Sequence, residues 1–390
     1  MAERLSPREI LENLVGFPTV SRDSNLPLVD WVDAYLAAHG IAAHRWYDPD
    51  QPHKAALFAH VGPWQEGAVV LSGHTDVVPV DGQPWTSAPF TVTERDGKLY
   101  GRGTADMKGY DALAIWALVE AQARGVKRPL QLALSFDEEV GCTGAPPMIQ
   151  AMQPVLPKGA AVIVGEPSMM RAVTGHKGGQ GYWIDVWGVE VHSSIMHTGV
   201  NAIMEAARII DWANVVNDEE RARPPSEVAA MFDPPWTTLH CGLIEGGTAA
   251  NITAKHCRFD LGFRAVPDAD LAAWRGRIRD RIAEVEAAMQ AVRPEARIDV
   301  EARFAVPGLK PEENGAAEAL VRAITGDNAR HVVSYGTEAG QFQEAGYSAV
   351  VCGPGDIAQA HQPDEFITLA QFNAGQDFMD RLVTRLQKDA

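Results

Sequence analysis

Three apolar stretches in the first half of the chain are each followed directly by acidic or imidazole residues. The stretches cover residues 68–72, 130–136 and 160–164, and each has the length and composition of a buried β-strand. Strands and helices alternate around them, which predicts a doubly wound, mixed-sheet α/β layer. Because ligands gather outside the carboxyl ends of strands in such sheets, we expect the chemistry to take place there.

From about residue 177 the pattern changes to that of a second domain. Strand, helix, strand, strand, helix and strand follow one another, which is typical of an α+β, ferredoxin-like sandwich. The α/β pattern returns near residue 305. The sequence therefore predicts one domain formed by residues 1–176 and 305–390, with a separate domain inserted at 177–304.

Composition and charge limit the classes of partner. The chain carries 34 Lys and Arg against 51 Asp and Glu, a net charge of −17, which argues against nucleic acid or an anionic membrane as partner. No apolar run approaches the ~18 residues that a membrane span needs. The charged N-terminal segment lacks the apolar region of a secretion signal, so we expect a cytoplasmic protein.

The cysteines are scattered and form no C-x-x-C pair. We expect them to be buried free thiols in a reducing compartment. They are Cys142, Cys241, Cys257 and Cys352.

Residues 101–109 read Gly-Arg-Gly-Thr-Ala-Asp-Met-Lys-Gly and lie between a predicted strand and a predicted helix. A dinucleotide-binding loop needs glycine at the sixth position, where Asp106 stands, and its carboxylate would repel a pyrophosphate. Asp106 could instead cap the following helix. It could also bridge two cations with its two oxygens, and the other polar clusters have to decide between these readings.

His74 and Asp76 follow the first of the three strands. Two residues apart on an extended chain, they face the same side, so the imidazole could bind a metal while Asp76 orients its other nitrogen. Glu138 and Glu139 follow the second strand and point in different directions. One could bind metal while the other acts as a base on a metal-bound water. Taken singly, a turn histidine and a solvated acidic turn explain these residues better.

Glu166 follows the third strand, and His361 stands in a late loop rich in glycine and proline. A surface loop would also explain His361. Taken together, two imidazoles, one bridging aspartate and two glutamates suit a pair of divalent ions ~3.5–4 Å apart. Nitrogen and carboxylate ligands without thiolate favour Zn²⁺, with Co²⁺ or Mn²⁺ as alternatives.

Four motifs carry a resemblance to a known family over nearly the whole chain. They are His-Thr-Asp-Val-Val-Pro, the segment at 101–109, Asp-Glu-Glu-Val-Gly and Gly-Glu-Pro-Ser. In this order they resemble the M20-type family of co-catalytic zinc metallopeptidases. The late segments Gly-Thr-Glu-Ala-Gly-Gln-Phe and Ala-His-Gln-Pro-Asp-Glu-Phe most resemble its acetylornithine deacetylase members.

The resemblance implies a role for each candidate ligand. His74 and Glu166 would hold one metal ion, Glu139 and His361 would hold the other, and Asp106 would bridge them. The peptide bond that follows Asp106 is expected to be cis.

It also implies residues that act on the substrate. Asp76 would support His74, and Glu138 would be the general base. His192 would reach the active site of a partner subunit and stabilise the oxyanion, while Asn251 and Arg264 would hold the substrate carboxylate.

Thr337 and Glu338 are further expected substrate contacts. The inserted domain would serve as a lid and pair two subunits in a homodimer. The implied reaction is hydrolysis of an N-acyl-L-amino acid, first of all N2-acetyl-L-ornithine in arginine biosynthesis. A dipeptidase, a succinyl-diaminopimelate desuccinylase, another N-acyl amino acid amidohydrolase and a non-catalytic metal-binding protein stay open as alternatives.

Overall fold

The structure, a computed structural model, describes residues 3–389 and divides into two compact units. The first unit comprises residues 3–175, 311–332 and 337–389. The second unit comprises residues 176–310 and 333–336.

The helices and strands are numbered in chain order. The α-helices are α1 (Pro7–Val15), α2 (Leu26–Ala38), α3 (Lys108–Arg124), α4 (Ala145–Met152), α5 (Ala202–Ala222), α6 (Leu271–Val292), α7 (Ala316–Thr325), α8 (Ala339–Glu344) and α9 (Leu369–Leu386). The strands are β1 (Ala43–Tyr47), β2 (Ala55–Val61), β3 (Ala68–His74), β4 (Thr93–Arg95), β5 (Lys98–Tyr100), β6 (Leu130–Ser135), β7 (Gly159–Pro167), β8 (Val173–His176), β9 (Gly178–Trp187), β10 (Thr238–His240), β11 (Ile244–Gly246), β12 (His256–Ala265), β13 (Arg297–Val306), β14 (His331–Val333), β15 (Ala349–Gly353) and β16 (Phe366–Thr368).

The main sheet has the strand order β1-β2-β6-β3-β7-β15-β8-β14. The strands β6, β3, β7 and β15 run parallel, whereas β2 is antiparallel to β6, so the predicted mixed α/β sheet is confirmed. Almost every residue of β3, β6 and β7 is buried, as expected for strands covered on both faces. Because these strands are parallel, the residues at their carboxyl ends meet at one edge of the sheet.

A small three-stranded sheet joins two segments that are far apart in sequence. Its order is β16-β5-β4, and β16 pairs antiparallel with β5. The pairing continues beyond the strands, since the Gly101 N–H donates to the Glu365 carbonyl at 2.9 Å. It therefore places the loop before β16, which contains His361, next to the loop of Asp106.

The second unit is an antiparallel sheet in the order β10-β12-β9-β13, with β11 on β12, and its helices are α5 and α6. This is the predicted strand-helix-strand-strand-helix-strand arrangement. Strand β13 continues to Val306 beside Gly179 of β9, two residues past the predicted boundary at 304. The lid and dimerisation roles of this unit stay predictions.

Three of the cysteines are buried and all are free, but the prediction that all are buried is wrong for Cys241, which is half-buried. Cys241 directly follows the short edge strand β10, where little covers it. Within residues 3–389, no helix has both the length and the apolar character needed to cross a lipid bilayer.

Candidate metal centre

The Asp106 carboxylate lies between two imidazoles. Its Oδ1 is 3.1 Å from His74 Nε2, and its Oδ2 is 3.2 Å from His361 Nε2. Each oxygen thus faces a different imidazole, as a carboxylate that bridges two cations would. Helix α3 begins at Lys108 and its first turn has no side-chain cap, so the helix-cap reading of Asp106 is wrong. The expected cis bond between Asp106 and Met107 is confirmed.

Each of the two imidazoles also has one glutamate of the predicted ligand set beside it. Glu166 Oε1 is 3.7 Å from His74 Nε2, and Glu139 Oε2 is 2.9 Å from His361 Nε2. The structure therefore brings together all five residues that the sequence proposed as ligands. Glu166 Oε1 is buried and has no hydrogen-bond partner among the described residues. Because a buried carboxylate oxygen without a partner is costly, this atom points to a missing cation.

The charges of the cluster lead to the same conclusion. Burial raises the pKa of Glu139 to about 8, and the charge of Asp106 adds to the effect. Burial and the same charge raise the pKa of Glu166 well above its usual value, and burial raises that of Glu138. Burial would also raise the pKa of Asp106, but the hydrogen bonds with both imidazoles outweigh it and leave the pKa low. This many neighbouring carboxyl groups can be ionised at the same time only if positive charge lies beside them. The donor atoms of the cluster fit a pair of divalent cations, which would supply that charge.

His74 is oriented by Asp76, although mainly through the backbone. Its Nδ1 is 3.0 Å from the Asp76 carbonyl oxygen and 3.5 Å from the Asp76 Oδ1 carboxylate atom. Since a carbonyl oxygen can only accept, Nδ1 carries the hydrogen, and Nε2 is left as the atom that can bind a metal.

The Asp76 carboxylate itself holds the turn after β6. Its Oδ1 accepts the Glu138 N–H at 3.1 Å, and its Oδ2 accepts the Glu139 N–H at 3.3 Å. The Ser21 hydroxyl donates to Oδ2 at 2.7 Å. One buried carboxylate therefore fixes the backbone of both adjacent glutamates. Sequence spacing gave no sign of this role, because the two segments are more than 60 residues apart.

The Glu138 side chain lies in the same cluster. One of its carboxylate oxygens, one from Glu166 and a ring nitrogen of His74 all lie within 4.8 Å of one another. The Cys142 thiol donates to Glu138 Oε1 at 3.1 Å. Glu138 is thus held beside the candidate metal positions.

Thr337 and Glu338 lie at the start of α8 and are buried. The Thr337 hydroxyl accepts the Ala339 N–H, and Glu338 Oε1 accepts a hydrogen bond from the Ser135 hydroxyl at the end of β6. Glu338 Oε2 has no hydrogen-bond partner among the described residues, and burial raises the pKa of this side chain to about 8.

The other expected substrate contacts lie in the second unit. His192 and Asn251 are exposed on neighbouring segments, joined by a hydrogen bond from the Ser193 N–H to the Asn251 carbonyl at 2.8 Å. Arg264 is exposed near the end of β12, whereas Asn251 lies before the start of this strand. The length of β12 therefore separates the two residues. Within this unit the structure therefore does not bring Arg264 together with His192 and Asn251.

Arg264 lines a cavity of about 600 Å³ on the face of the second sheet. Its floor is the cross-strand pair Gly181 and Gly262, and a Cβ added to Gly181 would approach Phe304 to 2.6 Å. Arg221 and Arg303 line the same cavity. The missing side chain at Gly181 thus makes room for the Phe304 ring. The guanidinium groups around the cavity favour an anionic ligand.

Two residues within the quoted motifs were assigned no role from the sequence. Arg102 and Glu365 form a buried ion pair with Nη1 and Oε2 2.7 Å apart, beside Asp106. The sequence offers one indication of their role, because each is a charged residue in a loop that also contains a candidate ligand. Their pairing across 263 positions could not be read from spacing.

A cluster of this composition at the edge of a mixed α/β sheet is that of a metal-dependent hydrolase. A sequence profile described as "Peptidase family M20/M25/M40" matches residues 70–385, and the chain belongs to this family.

Curated relatives match nearly the full length of the chain. It is 36% identical over 374 residues to an acetylornithine deacetylase of Myxococcus xanthus, covering 92% of each chain. It is 33% identical over 382 residues to an acetylornithine deacetylase of Proteus mirabilis, covering 96% of this chain and 95% of the relative. The M20 family metallo-carboxypeptidase Sso-CP2 from Sulfolobus solfataricus has a similar fold, with a TM-score of 0.78 at 16% identity over 99% of this chain and 100% of the other.

Proposed function

We propose that the chain hydrolyses the amide bond of N-acyl-L-amino acids, with N2-acetyl-L-ornithine as the first candidate substrate. The observation that carries the proposal is the position of Asp106 between two imidazoles, each of which has a glutamate beside it. The choice of substrate is supported by the deacetylase relatives at 33–36% identity.

The proposed metal ligands fall into two sets that share Asp106. His74 and Glu166 would hold one ion, and Glu139 and His361 the other. Zn²⁺ is the first candidate for both positions, with Co²⁺ or Mn²⁺ as alternatives, because the donors are nitrogen and carboxylate oxygen without thiolate. When bound, such ions polarise a substrate carbonyl and lower the pKa of water toward ~7.

Glu138 is the proposed general base. It would accept a proton from the attacking water and then deliver it to the nitrogen of the departing amine. Two features support this role. The carboxylate lies within the cluster, and Asp76 holds its backbone N–H, so its position does not depend on a flexible loop.

Five further residues are proposed to contact the substrate. His192 would donate to the developing oxyanion, and a donor of this kind contributes ~3 kcal/mol. Arg264 would bind the carboxylate, which the cavity beside it favours. Asn251 lies apart from Arg264 within its own unit, so it would reach the same carboxylate from the partner subunit, together with His192. Thr337 and Glu338 are proposed to lie at the substrate side of the centre, and Glu338 has one carboxylate oxygen left for a cationic group.

The remaining proposals concern the assembly and its place in the cell. We propose a homodimer formed through the second unit, in which His192 serves the partner's site, and a cytoplasmic location.

The test is hydrolysis by metal-free protein reloaded with Zn²⁺ or Co²⁺. The panel contains N-acetyl-L-ornithine, N-acetyl-L-methionine, succinyl-diaminopimelate and a dipeptide. We expect metal-dependent release of ornithine at a kcat/KM well above the others. Preference for another member would keep the chemistry and change the substrate. Stoichiometric metal without turnover on any member would overturn the proposal in favour of a metal-binding protein.

A further inference from the structure

The Glu365 carboxylate grips the backbone of the bridging aspartate. Its Oε1 accepts the N–H groups of Ala105 at 3.0 Å and Asp106 at 3.1 Å. Its Oε2 is 2.7 Å from Nη1 of Arg102, and both side chains of this pair are 1% exposed. Glu365 therefore ties the loop of Asp106 to the segment just before β16.

Arg102 extends these bonds toward the second imidazole ligand. Its Nη2 donates to the Gln83 Oε1, and the Gln83 Nε2 in turn donates to the His361 carbonyl at 2.9 Å. Arg102 Nη1 also donates to the Gln362 carbonyl at 3.3 Å. An unbroken series of hydrogen bonds therefore runs from the Asp106 N–H to the backbone of His361.

The series is built from groups that tolerate little displacement. The attraction within a buried ion pair offsets the desolvation of its two charges only when the geometry of the pair is good. Moving Arg102 or Glu365 would strand a charge in the interior. The backbone of His361 also has φ 64°, a conformation that non-glycine residues rarely adopt and that neighbouring bonds must hold.

The other metal position shares Asp106 with this series, but its remaining ligands are held independently of it. His74 and Glu166 stand at the carboxyl ends of β3 and β7, where the main sheet fixes their backbone. None of the hydrogen bonds from Glu365, Arg102 or Gln83 given above reaches them. A defect in the series should therefore affect the two positions unequally.

We propose that Glu365, Arg102 and Gln83 are positioning residues that set the spacing between Asp106 and His361 and thereby the affinity of the metal position at His361. The inference rests on the proposed dinuclear centre. The new element is that residues which bind no metal themselves determine the affinity of one of the two metal positions.

The experiment is a calorimetric titration of metal-free protein with Co²⁺. Gln83→Ala is the principal variant, because Gln83 is only half-buried and its loss should leave the fold intact, which circular dichroism checks. Glu365→Gln is the second variant. Asp81→Asn is the matched control: it lies two residues from Gln83 in an exposed ion pair with Arg22.

We expect wild type to bind two ions. Gln83→Ala should weaken one position by about 10- to 100-fold and leave the other within about twofold, as is usual for residues behind a metal ligand. Because Glu365 also holds the shared Asp106, Glu365→Gln should weaken that position and, to a smaller extent, the other. Asp81→Asn should match wild type.

The effect should also disappear in a His361→Ala background, where Gln83→Ala should bring no further loss because the two residues act as a unit. Equal weakening of both positions in Gln83→Ala, or unchanged affinities in that variant, would overturn the inference alone. A wild-type protein that binds fewer than two ions would overturn the proposed function as well.

Discussion

The Lys54 ammonium lies 2.7 Å from the Asp137 Oδ1, and both side chains are nearly inaccessible to solvent. Lys54 also donates to the Ser21 carbonyl. Asp137 directly precedes Glu138 and has φ 54°, so the chain turns there in the left-handed region. The ion pair therefore anchors the turn that presents the proposed base.

Lys54→Met should strongly destabilise the protein. It removes one partner of a buried pair and leaves the Asp137 carboxylate without compensation, which typically costs about 3–5 kcal/mol. Urea denaturation at neutral pH measures the change in the free energy of unfolding.

Two further variants distinguish the cost of the unpaired Asp137 charge from the general effect of replacing a lysine. Adding Asp137→Asn to Lys54→Met should recover much of the loss, because the stranded charge is gone. Lys127→Met, which removes an exposed pair with Asp389, should leave the stability close to wild type. Equal effects of the Lys54 and Lys127 substitutions would contradict the prediction.

Glu138→Gln should abolish most turnover while leaving the metal content intact. The amide keeps the shape of the side chain but cannot take a proton, so kcat should fall by about 10²- to 10⁴-fold. Glu139→Gln is the contrasting variant, since it should lose metal as well. Metal analysis beside steady-state kinetics distinguishes the two, and full activity in Glu138→Gln would refute the base assignment.

The strands and the residues at their ends were predictable because the signal is local. Continuous apolar runs identify β3, β6 and β7 as buried strands, and the chain itself places His74, Glu139 and Glu166 just at or past their ends. The parallel direction of these strands then brings the side chains to one edge without any knowledge of long-range contacts.

The residues that hold the candidate ligands in place were not predictable, because their partners are remote in sequence. Arg102 looks like any charged loop residue until β16 pairs with β5 and brings Glu365 beside it. Strand β13 shows the same limit. A bulge between Ala302 and Phe304 shifts its register, so alternation could not show where the strand ends.

Arg264→Lys should raise KM for the N-acyl amino acid with little change in kcat. Lysine keeps the charge but loses the bidentate geometry that suits a carboxylate. A charge-assisted hydrogen bond of about 1.5–3 kcal/mol corresponds to roughly 10- to 100-fold in KM. Arg303→Lys in the same cavity is the matched control and should stay within about twofold. The assignment fails if both variants behave alike.

His176 makes the stability of the protein depend on pH. This histidine is fully buried at the end of β8, and burial lowers its pKa from 6.5 to about 4, although a hydrogen bond with the Lys177 carbonyl opposes the shift. In the unfolded chain this side chain binds a proton once the pH falls below about 6.5. In the folded chain it does so only once the pH falls below about 4. Its contribution to stability is therefore fully present above pH 6.5 and is lost as the pH falls.

His176→Gln should remove this dependence. Glutamine can still donate to the Lys177 carbonyl but does not titrate, so the variant loses less stability on acidification than wild type. The linkage relation with these pKa values gives a difference of about 2 kcal/mol between pH 7.5 and pH 5. Urea denaturation of both proteins at the two pH values measures it. Titrating carboxylates affect both proteins equally and cancel in the comparison, so equal losses in wild type and variant would show that His176 is protonated in the folded protein.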